Sequence, residues 1–284
     1  MKKIGYYISD YGFGHATRSI AIIRNLLKRN KDIHVTISTS FSLEFVRQSL
    51  DPQFKGRISY RKVQNDIGYV LKANSIEPDV HALNEMYWRY LETFPDWVAN
   101  ESKYLSGENV NLIISDISPL PFIAAKQLNI PSLGISNFTW YTAYQGMIDN
   151  ERLKPLYEAY SHMDYFISLA GSDEPKWGIK GNDHVEMFCR EVDHDEVRRL
   201  LNKLNPNRNR FIVFFGLGMK IGLDKLRQLN LWSSQDCLFV VSSNININKR
   251  NVIKIPEDYT ESENYVAVSD LVVTKPGWST LTQV

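Results

Sequence analysis

A chain of 284 residues exceeds the usual size of one compact core, so two domains of roughly 100 to 200 residues each are expected. A hydrophobic share of 43% beside 23% charged residues excludes disordered, collagen-like and coiled-coil classes. Lys plus Arg at 33 against Asp plus Glu at 32 leaves a formal charge of +1, which provides no global attraction to nucleic acid or an anionic membrane, so any anion site must be local.

Ile4-Gly5-Tyr6-Tyr7-Ile8-Ser9 is a short apolar run ending in a glycine-bearing turn, and Thr17 to Lys28 follows with Ile20, Ile22, Ile23, Leu26 and Leu27 at helical spacing. His34 to Thr39 is a β-branched strand and Leu43 to Leu50 has a helical pattern. The order strand, helix, strand, helix predicts a parallel sheet. A less legible stretch follows until Tyr87 to Leu105, which reads as a helix broken near Pro95. Val110 to Ser115 is a buried strand ending at Asp116, Phe122 to Leu128 a helix, and Ile130 to Ser136 the next strand. Asn137-Phe138-Thr139-Trp140 lies at the carboxyl end of that strand, where open α/β sheets place their ligands.

Tyr165 to Leu169 is one more strand, and Ala170 to Lys180, rich in glycine, charge and proline, reads as a linker. A second alternation begins with Phe211 to Phe215 and the loop Gly216-Leu217-Gly218-Met219, then a helix near Asp224 to Leu229. Strands at Cys237 to Ser242, Val252 to Ile255 and Asp270 to Thr274 lead to Lys275-Pro276-Gly277-Trp278-Ser279-Thr280 and a helix start. The expected organisation is an N-terminal lobe over 1–170, a connecting region over 171–207 and a partial C-terminal lobe over 208–284. A doubly wound lobe that stops one turn into a helix leaves a sheet face uncovered, so the chain is expected to continue past Val284.

Cys189 and Cys237 have no partners at metal spacing, so neither a disulfide framework nor a bound metal is expected, and a reducing cytoplasm fits best. The apolar stretch Ile4 to Ile8 is too short for a signal-peptide core, and no run approaches the roughly 18 residues of a membrane span. A peripheral membrane contact needs only a small exposed patch and stays open.

Gly12-Phe13-Gly14-His15 follows the first strand and opens the first helix, so backbone amides there can approach a phosphate or sugar oxygen. The third glycine of the dinucleotide fingerprint is replaced by Thr17, which argues against that use. His15 would project into the crevice as a proton acceptor, with Asp116 orienting the imidazole; the bland alternatives are a structural histidine and a helix N-cap. In the second lobe Gly216 and Gly218, with Lys275, Gly277, Ser279 and Thr280, offer amides, hydroxyls and a charge to a diphosphate, against the alternative of two ordinary turns. Trp140, Tyr141, Tyr144 and Trp278 either stack on a sugar or base or pack in a core.

Ser9-Asp10-Tyr11-Gly12-Phe13-Gly14-His15-Ala16-Thr17-Arg18 resembles the opening "GHGFGHATR" of the glycosyltransferase-like region that precedes the kinase in plant L-arabinokinase. Ile114-Ser115-Asp116, Ser136 to Trp140 and Lys275 to Thr280 resemble further segments of that region in the same order. More distantly the chain is similar to the UDP-glycosyltransferases and to the N-acetylglucosaminyltransferase that makes lipid II. The resemblance implies the GT-B fold, an α/β architecture of two Rossmann-like doubly wound parallel-sheet lobes facing a cleft, here with the second lobe incomplete.

It also implies a mechanism. A histidine in the first loop is the base on the acceptor hydroxyl, and an aspartate about a hundred residues later supports it; His15 and Asp116 match those positions. Asp10, Gly12, Gly14, Asn137 and Trp140 then line the acceptor side. Gly216, Gly218, Lys275, Gly277, Trp278, Ser279, Thr280 and Gln283 hold the nucleotide sugar. The family usually has a glutamate for the ribose hydroxyls where this chain has Gln283, a weaker acceptor.

The expected activity is therefore inverting transfer of a hexose-type sugar from a nucleotide sugar, a UDP-sugar by resemblance, to an acceptor hydroxyl, with no cofactor. The alternatives are a non-catalytic nucleotide-sugar sensor or scaffold of the same fold, which Gln283 favours, and a nucleotide-sugar 2-epimerase, which wants more acidic residues than this pattern offers.

Overall fold

The computed structural model describes residues 1–73, 75, 77–216, 228–275 and 277–283. It divides into two compact units: Met1–Val70 with Pro78–Met187, and Leu71–Glu77 with Phe188–Val284. Among the described residues no helix is long and apolar enough to cross a membrane.

The first unit is built on seven parallel strands: β1 (Lys2–Ile8), β2 (Ile33–Thr39), β3 (Ile58–Lys62), β4 (Leu112–Asp116), β5 (Ser132–Ser136), β6 (Tyr165–Leu169) and β7 (Gly181–Val185). Their order is β3-β2-β1-β4-β5-β6-β7, so the chain adds strands outward on one side of β1, then crosses to β4 and builds the other side. Helices α1 (Phe13–Arg29), α2 (Leu43–Phe54), α3 (Val80–Glu108), α4 (Leu120–Gln127), α5 (Trp140–Ala143) and α6 (Asn150–Tyr160) make the connections. Central strands covered on both faces read as continuous apolar runs, and β1 is buried from Ile4 onward accordingly. Helix α1 buries Ala16, Ile20, Ile23 and Leu27, one stripe at three- and four-residue steps, and ends on Lys28 and Arg29, which complement the negative end of its dipole.

The helix expected to break near Pro95 runs through it: α3 is 29 residues long, capped by the Asp79 side chain on the Ala82 amide and closed by Asn109 in the left-handed region. Leu83, Tyr87 and Tyr90 before the proline and Val98 and Leu105 after it are all buried, and that burial outweighs the one backbone bond the proline removes.

The second unit repeats the plan with β8 (Phe211–Gly216), β9 (Cys237–Val241), β10 (Val252–Lys254) and β11 (Leu271–Thr274), parallel in the order β10-β9-β8-β11. Helix α7 (His194–Leu204) is capped by Asp193, which accepts from the Asp195 and Glu196 amides, and lays Leu200 and Leu204 on Ile212, Phe214, Leu238 and Val240. The stretch 171–207, read as a connection, thus supplies strand β7 to one unit and helix α7 to the other. Of the helix expected near Asp224 to Leu229, residues 224–227 lie outside the described residues, and Leu229 leads into a short 3₁₀ turn, Asn230–Ser233.

Strand β7 depends on a glycine. A Cβ on Gly178 would lie 2.1 Å from the Gly181 carbonyl oxygen and 2.7 Å from the Phe166 amide nitrogen, both backbone atoms that cannot swing away. Gly178→Ala is expected to displace the edge strand at a cost of about 1–3 kcal/mol. Hydrogen exchange should show amides 181–185 losing protection while those of β1 and β4 keep theirs; unchanged protection in β7 would refute the packing argument.

Candidate active site

Strand order reverses between β1 and β4, and the loops at the carboxyl ends of two such strands diverge to leave a crevice. The register sets Ile8 opposite Asp116, so the end of β4 and the loop after β1 are brought side by side. That loop turns through Gly12, at φ +81°, a conformation that favours glycine, and enters α1 one residue later. His15 then projects from the first turn of α1 and is almost fully buried, as is Asp116.

The two predicted residues meet. His15 Nδ1 lies 2.8 Å from Asp116 Oδ1. A third residue, Arg18, joins them: its Nε donates to Asp116 Oδ2 at 2.7 Å, its Nη2 to Asp116 Oδ1 at 2.5 Å, and its Nη1 to Asn137 Oδ1 at 2.6 Å. Ser19 Oγ donates to Asp116 Oδ2 at 3.2 Å. Burial would raise the Asp116 carboxyl, but the Arg18 guanidinium, with His15, outweighs it and holds the group down at about 2.

Arg18 Nη2 also approaches His15 Nδ1, at 2.9 Å, and an arginine can only donate. The Nη2 hydrogens already have Asp116 Oδ1 and Ser136 Oγ as acceptors. We therefore assign the Nδ1 proton to the imidazole, donating to Asp116, which leaves Nε2 as a proton acceptor. Among the described residues Nε2 has no hydrogen-bond partner.

Around this core the other predicted residues take different parts. Asp10 is a loop staple: Oδ1 accepts from Thr39 Oγ1 and from the Ser40 and Phe41 amides, and Oδ2 accepts from the Asn65 amide. Gly14 carries the carbonyl that accepts from Thr17 Oγ1 at 2.9 Å. Asn137 anchors Arg18. Trp140 is buried among Tyr11, Tyr69, Phe138 and Tyr144, so its ring supports the wall of the site from within the core.

The sequence reading missed Arg18 as a site residue, although its spacing of three from His15 puts both on one face of α1. It also missed Asp66, in the loop between β3 and α3. Asp66 is buried, with Oδ1 accepting from Ser9 Oγ and the Asp10 amide and Oδ2 from Ser118 Oγ at 2.8 Å. Burial, then the charge of Asp10, push its carboxyl up to about 6 against the opposing pull of Ser118, Trp140 and His15.

In the second unit the strand order reverses between β8 and β11, and Thr274 pairs with Gly216 there. Thr274 Oγ1 donates to the Gly216 carbonyl at 2.9 Å, and a Cβ on Gly216 would come within 3.6 Å of Thr280 Cγ2. Gly216 thus adjoins the turn that carries Lys275, Gly277, Ser279 and Thr280, while Gly218 lies outside the described residues. Gly277 caps the short helix Trp278–Leu281, Trp278 packs edge-on against Phe188 at 5.3 Å, and Gln283 follows one residue after the helix's C-cap.

No family model matches the chain. It is 28% identical over 291 residues to L-arabinokinase of Arabidopsis thaliana, covering 98% of this chain and 27% of that protein, so it spans about a quarter of the length of that relative. The spinosyn rhamnosyltransferase SpnG superposes over 100% of this chain and 77% of its own, with a TM-score of 0.64 at 10% identity. UGT89C1 of Arabidopsis thaliana, solved with UDP, covers 99% and 76% with a TM-score of 0.62 at 11% identity. The fold is that of the GT-B glycosyltransferases. In that fold the two described crevices, one after β1 and β4 and one after β8 and β11, are the sites that strand topology alone makes available to ligands.

The ion pair has a measurable cost of removal. Asp116→Asn leaves the Arg18 guanidinium buried without its carboxylate, and about 3–5 kcal/mol of stability should be lost. Because the folded-state carboxyl sits below its ordinary 3.8, its contribution is complete above that pH and is lost as pH falls toward about 2. Thermal unfolding of the wild type should weaken between pH 4 and 2, and the variant should show a shallower slope there; equal slopes would contradict the pairing.

Proposed function

We propose that the protein is an inverting glycosyltransferase that moves a hexose-type sugar from a UDP-sugar to an acceptor hydroxyl. The observation that carries this reading is His15: an imidazole fixed through Nδ1 by a buried carboxylate, with Nε2 free, at the switch point of a GT-B sheet. The acceptor oxygen gives its proton to Nε2 as it bonds to the anomeric carbon, and the bond from that carbon to the diphosphate oxygen breaks on the opposite face. The departing diphosphate gains negative charge. Lys275 and the amides and hydroxyls of Gly277, Ser279 and Thr280 are the groups that would stabilise it, and Gln283 would accept from the ribose. No cofactor is required by this chemistry.

A second reading, a nucleotide-sugar sensor or scaffold without transfer, is favoured by two features. Arg18 occupies the carboxylate that would otherwise support a protonated His15, and Gln283 replaces a charged ribose acceptor with a neutral one.

Titration calorimetry of the full-length protein should show UDP binding more tightly than GDP, ADP or dTDP. His15→Ala should retain that binding while turnover, followed as UDP released from UDP-sugars in the presence of sugar acceptors, falls by roughly 10²- to 10⁴-fold. Undiminished turnover in the variant would remove His15 from the mechanism. UDP binding with no transfer by the wild type would establish the sensor reading.

A further inference from the structure

Charge at the first site does not balance when His15 takes a proton. With neutral imidazole, Asp116 and Arg18 cancel. A proton on His15 leaves the buried trio at +1, and an uncompensated buried charge is costly.

Arg18 on its own helix, Asp116 on β4 and Phe138 after β5 face His15, and the neutral Ser136 and Asn137 at the end of β5 reach Arg18; Asp66, from the loop after β3, holds through Ser118 the turn two residues beyond Asp116 and interacts electrostatically with His15. Asp66 in turn is faced by Asp10, by His15 and by the phenols of Tyr90, Tyr144 and Tyr160, which burial keeps neutral. The groups that bond its carboxylate, Ser9 Oγ, Ser118 Oγ and the Asp10 amide, are neutral, as is the Trp140 indole that also pulls its carboxyl down. Asp10 likewise accepts from hydroxyl and amide donors, and among the described residues no cation forms an ion pair with either aspartate. Two carboxylates side by side with no cation are poor stabilisers of a fold. They are well suited to receive a positive charge that appears during turnover.

We propose that Asp66 is the positioning residue whose negative charge balances the imidazolium formed at His15, because Arg18 has already neutralised Asp116. It rests on the reading that His15 accepts a proton. Through Ser9 and Ser118, Asp66 also ties the end of β1 to the turn after β4, so charge and loop geometry are set by one side chain.

The test is an NMR titration of the His15 ring protons in the wild type and in Asp66→Asn, with Ser118→Ala as the companion. Asparagine keeps the shape and, through Oδ1, the bonds from Ser9 and Asp10; it removes the charge and turns the Ser118 bond around, its Nδ2 donating to Ser118 Oγ, a change for which Ser118→Ala is the control. The His15 midpoint is expected to move to lower pH by about half a unit or more in Asp66→Asn, a threefold change in its protonation constant, and to move less in Ser118→Ala. The melting temperature of Asp66→Asn near pH 7.5 should equal or exceed that of the wild type, since a carboxyl raised from 3.8 to about 6 costs stability that accrues as pH rises between those values and is complete above them.

Equal shifts in the two variants, or none, would overturn the proposal by leaving Asp66 a purely structural role. Reciprocity supplies a second measurement in a different background: in His15→Gln the Asp66 carboxyl should titrate at higher pH than in the wild type, and an unchanged midpoint would overturn the proposal equally. Neither titration depends on turnover, so a protein that shows both shifts and transfers no sugar would refute the transferase reading while leaving the charge balance intact.

Discussion

A carboxylate enclosed by protein must be met by donors and by charge, and Asp116 meets both conditions through Arg18. Two guanidinium bonds, one imidazole and one serine hydroxyl converge on its oxygens. Those partners come from the first two turns of α1, whereas the carboxylate ends β4. The ion pair therefore fixes how the first helix sits over the switch point of the sheet, and with it where Nε2 of His15 points. Arg18 also reaches Ser136 and Asn137 at the end of β5, so two strand ends are locked by one side chain. The same bond that builds the site takes negative charge away from His15, the charge we propose Asp66 supplies.

Strands with strong burial were legible in the sequence. β1, β2, β4 and β5 are continuous apolar or β-branched runs because both faces are covered, and the turns after β1 and β4 announced themselves by a glycine and by a terminal aspartate. Elements at the edges were not. β3 lies at one edge with only its first residue buried, and β7 at the other reads Gly-Asn-Asp-His-Val with every residue after the glycine exposed, so neither carries a period that distinguishes strand from loop. α7 was hidden by its own amphipathicity, since its outward face is a block of charge and only Leu200 and Leu204 are buried. Pro95 misled because a local rule was applied where tertiary packing on both sides of the residue decides.

The candidate site divides in the same way. His15 and Asp116 are visible because they end or follow buried strands, and Gly216 and Gly277 because they follow strands in the second unit. Arg18 carries no local signal beyond a charge at the start of a helix, and only the fold shows that its face of α1 turns toward β4. Asp66 lies in a stretch with no period at all, and its role comes from contacts with residues far along the chain, Ser9 and Ser118. Long-range polar contacts leave no local pattern to read.

The measurement that tests the account most directly is the nitrogen NMR of the His15 ring, which reports the nitrogen that carries the proton. The account predicts the tautomer with hydrogen on Nδ1, bonded to Asp116, and a bare Nε2 ready to accept a proton. Hydrogen on Nε2, with Nδ1 accepting from Arg18, would contradict it: His15 would then be a structural link in the arginine network, and the site would lack its base.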